Sequence, residues 1–450
     1  MSGGAGRGGR GRRGRSRAFR HAGRLVAGAA GAAILALAVS PVALAAPTAG
    51  VTGAPAAVVT AAEAGCTDAS ARIPQRPPVL NQLQAPLAWE QTRGEGVVVA
   101  VVDSGVAASN PHFDGVLAGG TDLVGDGVGS AGYADAYGHG TAIAGEIAAQ
   151  PVDGSGVEGL APGARILSVR VFAGTDDQSV AAGTGPSISR LAAGIRYAAD
   201  ARAQIINVSL STAGDDPALR DAVAYATANG SLIVASSGNR DSSLAVEKDQ
   251  QDGVRYPAGY PGVLGVAATG AAGVVTDDSI HGPHVALSAP GQNVATTANT
   301  GGDCVYASSA PATSFATAYV SAAAALVASA HPDETPAQWA YRLTASAIRP
   351  HPGTRDDAGG WGVVQPYEAI VLVPGPETAG PPNPFTTTTP TAGSTQAESV
   401  VRVKANDDSQ ARIAALAVAV SVVGLTVLAA IAAVSILAAR RRRGAQAGGA

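Results

Sequence analysis

Three residues of this chain sit where a hydroxyl can be turned into a nucleophile. Asp103 closes the apolar run Gly96–Val102, His139 lies between Gly138 and Gly140-Thr141, and Ser314 opens the small-residue stretch Phe315–Ala330. A serine hydroxyl attacks a carbonyl only if a base within hydrogen-bond reach takes its proton, and that base needs a partner to hold its tautomer. A carboxylate, an imidazole and a hydroxyl make up such a set, and the chemistry would be acyl transfer.

Each of the three needs an element to carry it. The run before Asp103 suits a parallel strand buried on both faces. A carboxylate at the carboxyl end of such a strand lies where open α/β sheets place their sites. Behind His139, Ala142–Ala149 reads as a helix of small residues, so the imidazole is expected in its first turn. Ser314 is expected at the start of a second helix, where the positive dipole end favours a developing oxyanion. The remaining histidines, at 21, 112, 281, 284, 331 and 351, lack comparable flanks and read as surface or loop residues.

The order Asp, His, Ser with these flanks resembles the subtilisin-like serine proteases over about residues 90–372. That resemblance implies an α/β fold: a doubly wound parallel sheet with helices on both faces. It implies that Asp103, His139 and Ser314 are catalytic and that Asn239, ending Ser-Gly-Asn, donates to the oxyanion. It also implies that Ser209, Leu210 and Ser211 belong to a strand pairing with substrate, and that Ser236, Ser237 and Gly238 wall a modest, weakly charged pocket. The Tyr256–Pro257 bond is expected cis. Ala312 stands where the family keeps glycine; were its φ positive, the methyl would add strain of about 1 kcal/mol and slow turnover.

The chain of 450 residues has room for this domain and appendages. Its formal net charge of −4 is unevenly spread: eight arginines lie in residues 1–24 and four in 440–443. The remainder holds 18 basic against 34 acidic residues, which argues against a nucleic-acid partner. Residues 1–45, basic and then apolar up to Ala43-Leu-Ala45, resemble a signal peptide; an uncut anchor is the alternative. Ile413–Ala439 is 27 residues without a charge, longer than the roughly 20 a bilayer span needs, and Arg440–Arg443 follows directly. A single carboxyl-terminal transmembrane helix, a cytoplasmic basic tail over 440–450 and an extracytoplasmic catalytic domain are therefore expected. Residues 374–412, rich in Pro and Thr, read as an extended linker.

Only Cys66 and Cys304 occur. In an exported protein they suggest one disulfide, with two unpaired thiols as the alternative. Their spacing does not suit a metal, and no metal or cofactor is called for. The layout resembles the mycosins, membrane-anchored proteases associated with type VII secretion. Local wording agrees: Pro86-Leu-Ala-Trp89 before Thr92–Gly96, and Phe315 after Ser314. That resemblance implies that residues 46–88 wrap the peptidase domain at 89–373, pinned by Cys66 to Cys304. It implies an endopeptidase acting on exported or cell-surface proteins, with secretion-complex subunits as partners. The alternative is a structural member of that complex with weak or dispensable proteolysis.

Overall fold

The computed structural model describes residues 58–59, 71–129, 131–241 and 248–386. The calls on the signal peptide, His21, Cys66, the transmembrane helix and the basic tail lie outside the described residues, as does the linker beyond residue 386.

Seven parallel strands form the central sheet: β1 Val98–Asp103, β2 Leu117–Asp122, β3 Arg165–Arg170, β4 Ile205–Val208, β5 Leu232–Ser236, β6 Val263–Thr269 and β7 Val285–Pro290. Their spatial order is β2-β3-β1-β4-β5-β6-β7. From β1 the chain passes to one edge at β2, returns to place β3 between them, and then builds outward from β4 to the other edge. The order therefore reverses between β1 and β4, and open α/β sheets bind ligands beyond the carboxyl ends of strands at such a point.

Both faces of the sheet are covered, which is why β1 is apolar without a break. Val99 and Val101 join one core, while Ala100 and Val102 join the other. The first core is closed by α1 His139–Ala148 and by α4 Thr313–Ala330; the second is closed by α2 Ile188–Asp200 and α3 Pro217–Ala228. Among the described residues α4 is the one helix long and apolar enough to cross a membrane, and it lies buried in the centre of the fold. Its alanines let it pass close over the sheet, and Phe315, Val320 and Leu326 fill the space between them.

Residues 71–89 pack onto the first core. Leu80, Leu83, Ala85 and Ala88 are fully buried. The Trp89 ring lies under the guanidinium groups of Arg76 (4.9 Å) and Arg93 (4.3 Å), and its N–H donates to the Leu160 carbonyl at 2.8 Å. A buried polar knot fastens the same segment. Asp303 accepts from the Ile73 amide (2.8 Å), the Ser155 hydroxyl (2.6 Å) and Arg72 (3.4 Å), and lies 3.0 Å from His112 Nε2. His112 is thus a fully buried partner of a carboxylate and not the surface residue its flanks suggest.

Burial pushes the Asp303 carboxyl up. The hydrogen bonds from His112, Ser155 and Ile73 and the charge of His112 outweigh it and hold the group below its usual value. The stability it contributes is accordingly present above about pH 4 and lost as pH falls through the folded value. Replacing His112 by leucine strips a partner from a buried charge. It is expected to cost about 3–5 kcal/mol of unfolding free energy in denaturant titration; an unchanged midpoint contradicts this.

Candidate active site

Asp103 is the last residue of β1 and is fully buried. Its Oδ1 accepts from His139 Nδ1 at 2.8 Å and from the Ser104 amide at 2.8 Å. A ring that donates from Nδ1 presents Nε2 as the nitrogen able to take a proton. His139 is the first residue of α1, as its flanks imply. The contact needs the helix start pressed against the turn after β1, and Gly140 permits that. A Cβ there would lie 2.2 Å from the Gly105 carbonyl oxygen and 3.1 Å from Asp103 Cβ.

Asp135 locks this junction, and nothing in the sequence singles it out. One carboxylate oxygen accepts from the Ser104 hydroxyl (2.9 Å) and the Gly138 amide (2.7 Å). The other accepts from the Thr141 amide (2.8 Å) and hydroxyl (2.6 Å). The Ser104 hydroxyl in turn accepts from the Gly140 amide at 2.9 Å. Asp135 thus caps the amino end of α1 and ties it to the residue after Asp103. Burial pushes its carboxyl up, opposed by those four hydrogen bonds.

Ser314 is the second residue of α4, and its Oγ is buried with no hydrogen-bond partner among the described residues. The neighbouring Phe315 ring lies 5.8 Å from the His139 ring, so the starts of α1 and α4 face each other. The Ser209 hydroxyl, just past β4, donates to the Ser314 carbonyl at 3.1 Å.

Asn239 follows β5. Its Oδ1 accepts from the Thr313 amide (2.9 Å) and hydroxyl (3.0 Å). With the amide oxygen fixed on the residue before Ser314, Nδ2 is the end left to donate. The turn into Asn239 requires glycine: Gly238 has φ +94°, and a Cβ would lie 2.9 Å from Ser211 Oγ.

The other expected substrate residues divide. The Leu210 side chain is not offered to a ligand; it is 1 % exposed and belongs to the second core. The Ser236 hydroxyl bonds Thr313 Oγ1 at 2.6 Å, and Ser237 is fully buried, so these serines support the segment from behind. Ser211–Thr212 forms an edge strand separate from β4, paired antiparallel with Val58–Val59. Tyr256–Pro257 is cis. At Ala312 the expectation of strain fails, because φ is −124° and ψ 133°, an extended conformation that alanine adopts freely. Cys304 is buried. No group of three or more metal-ligating side chains occurs among the described residues.

Replacing Asp135 by asparagine sets an NH₂ group against donors that now meet an oxygen. We expect kcat to fall by up to about 100-fold with little change in KM, the cost of misplacing a catalytic pair by a fraction of an ångström. An unchanged kcat in a folded variant contradicts the positioning role.

Residues 94–362 match the model of the subtilase family, peptidase S8. Mycosin-3 of Mycobacterium tuberculosis is 35 % identical over 325 residues, 62 % of this chain and 68 % of its own length. Thermitase of Thermoactinomyces vulgaris is 36 % identical over 248 residues, covering 55 % of this chain and 80 % of the relative. Among solved structures, MycP1 from Mycobacterium smegmatis aligns with a TM-score of 0.59 and 31 % identity over 74 % of this chain and 94 % of that one. The MycP3 protease from the type VII (ESX-3) secretion system gives 0.56 and 30 % over 71 % and 95 %. A match across more than half the chain, with mycosins among the relatives, places this protein in the subtilase family of serine proteases.

Proposed function

We propose that this protease is a membrane-anchored endopeptidase that cleaves exported or cell-surface proteins beside a type VII secretion system. The 2.8 Å contact from His139 Nδ1 to Asp103 Oδ1, with the buried and unbonded Ser314 hydroxyl at the head of the neighbouring helix α4, carries the proposal for the chemistry. His139 Nε2 takes the proton as Ser314 Oγ attacks the scissile carbonyl carbon, and Asp103 stabilises the imidazolium. Asn239 Nδ2 and the Ser314 amide at the head of α4 stabilise the oxyanion. Collapse releases the amine, which takes the proton from His139, and water then hydrolyses the acyl-enzyme by the same steps. Serine to alanine at 314 is expected to lower kcat by about 10⁴-fold or more, and Asn239→Ala by about 10²–10³-fold at nearly constant KM. Peptide cleavage that survives Ser314→Ala contradicts the assignment.

Export and anchoring rest on the sequence: the basic and apolar start, the uncharged Ile413–Ala439 and the arginines after it. They support a catalytic domain outside the cell membrane. The link to secretion is supported by a structural relative described as a protease from a type VII system. A Cys66–Cys304 disulfide is supported by the absence of a free thiol among the described residues. It would close a loop of more than two hundred residues, worth roughly 4–5 kcal/mol in the chain-entropy model. Mass spectrometry of non-reduced protein should recover the two peptides as one species; free thiols on both exclude the bond.

One observation favours the second reading, a complex member whose proteolysis is restrained. Val58–Val59 occupies the edge of Ser211–Thr212, where a substrate backbone would add. Proline at both 58 and 59 removes the donors such pairing needs. In the full chain the double variant is expected to show a lower KM at unchanged kcat. An unchanged KM removes the restraint.

A further inference from the structure

We propose that His284 is a positioning residue for the active site, its imidazole fixing the Ser237 carbonyl and thereby the turn that presents Asn239. The inference rests on the active-site reading given above and adds a residue to it.

His284 immediately precedes β7 and is 6 % exposed. Its flanks, Pro283 and Gly282, read as an ordinary loop, yet the ring is packed inside. Nε2 lies 3.1 Å from the Ser237 carbonyl oxygen. A backbone carbonyl only accepts, so Nε2 carries the proton. Nδ1 is buried and has no partner among the described residues. The tautomer is thereby fixed, and the ring is neutral.

The backbone of His284 cannot drift. Its carbonyl lies so close to Gly265 on β6 that a Cβ there would come within 2.0 Å of the oxygen. From this fixed base the ring holds the second of four consecutive restraints on residues 236–239. Ser236 Oγ meets Thr313 Oγ1 at 2.6 Å, the Gly238 carbonyl accepts from the Ile280 amide at 2.8 Å, and Asn239 Oδ1 accepts from Thr313. The other three come from the backbone or from the head of α4. At Ser237 the amide donates to the Val266 carbonyl at 2.9 Å, and its carbonyl is held by a side chain, the His284 ring.

Burial pushes the His284 ring below its usual value. The Ser237 carbonyl acts in the opposite sense, Arg255 and Arg355 reinforce the burial, and Asp357 opposes it. A proton added at Nδ1 would meet no acceptor and would face those two guanidinium groups. The unfolded chain therefore binds that proton more readily. Stability contributed by the neutral ring is present above about pH 6.5 and is lost as pH falls below it.

The test uses the full-length protein in detergent and the rate at which a fluorophosphonate probe labels Ser314. H284A removes the donor and is expected to slow labelling about 10-fold, the effect of one buried hydrogen bond. H284Q places an amide N–H near the position of Nε2, does not titrate, and should restore the rate to within about 2-fold. Wild-type labelling by H284A, or H284Q as slow as H284A, overturns the proposal. If H284A does not fold, H284M, which fills the space and donates nothing, decides: labelling about 10-fold slower than wild type supports the proposal, and wild-type labelling overturns it. Labelling that persists in Ser314→Ala refutes the active-site reading itself, a failure distinct from these.

Discussion

A strand end and a helix start brought within 2.8 Å of each other set the terms for the rest of this molecule. Asp103 and His139 are 36 residues apart, and their hydrogen bond exists only if α1 docks its amino end on the turn after β1. That docking leaves no room for a side chain at position 140 and exposes the unpaired amides of a helix start to a buried environment. A second carboxylate, Asp135, answers the latter problem by accepting the Gly138 and Thr141 amides. The site therefore contains two buried acids of different use. One faces the imidazole, and the other makes the junction rigid enough for that contact to persist.

The sheet supplies the remaining geometry. Reversal of strand order between β1 and β4 opens a crevice at their carboxyl ends. Asp103 ends one of these strands, and Ser209, just past the other, holds the Ser314 carbonyl. Ser314 arrives on the central buried helix, and Asn239 is anchored to the residue before it. Three elements distant in sequence thus converge on one helix terminus. Ser209, Asn239 and Asp135 each hold a neighbouring part of the site. This is the arrangement electrostatic preorganisation demands, because donors fixed before reaction need not reorient during it.

The placement of Asp103, His139 and Ser314 on a strand end and two helix starts was legible because their local signals are strong. A run of valines before Asp103 specifies a buried strand, and glycines around His139 and small residues after Ser314 specify close-packed helix starts. Residues whose roles arise from contacts made by loops were not. Asp135 sits between Ala134 and Ala136 with no pattern to mark it. His112 and His284 each adjoin a proline and look like loop residues, yet both are buried against fixed acceptors. Leu210 lies beside serines that suggest a binding strand, while its own side chain is core. Ala312 shows the converse: its methyl looked costly until the backbone proved extended. Sequence flanks report local conformation and burial period, and they do not report which distant carbonyl a side chain will meet.

The central claim is that Ser314, His139, Asp103 and Asn239 act together on one scissile bond. A crystal structure of the fluorophosphonate-treated protein tests it most directly. The account predicts a covalent adduct on Ser314 Oγ, with the phosphonyl oxygen about 2.7–3.1 Å from both Asn239 Nδ2 and the Ser314 amide. An adduct on another residue, or a phosphonyl oxygen turned away from Asn239, would contradict it.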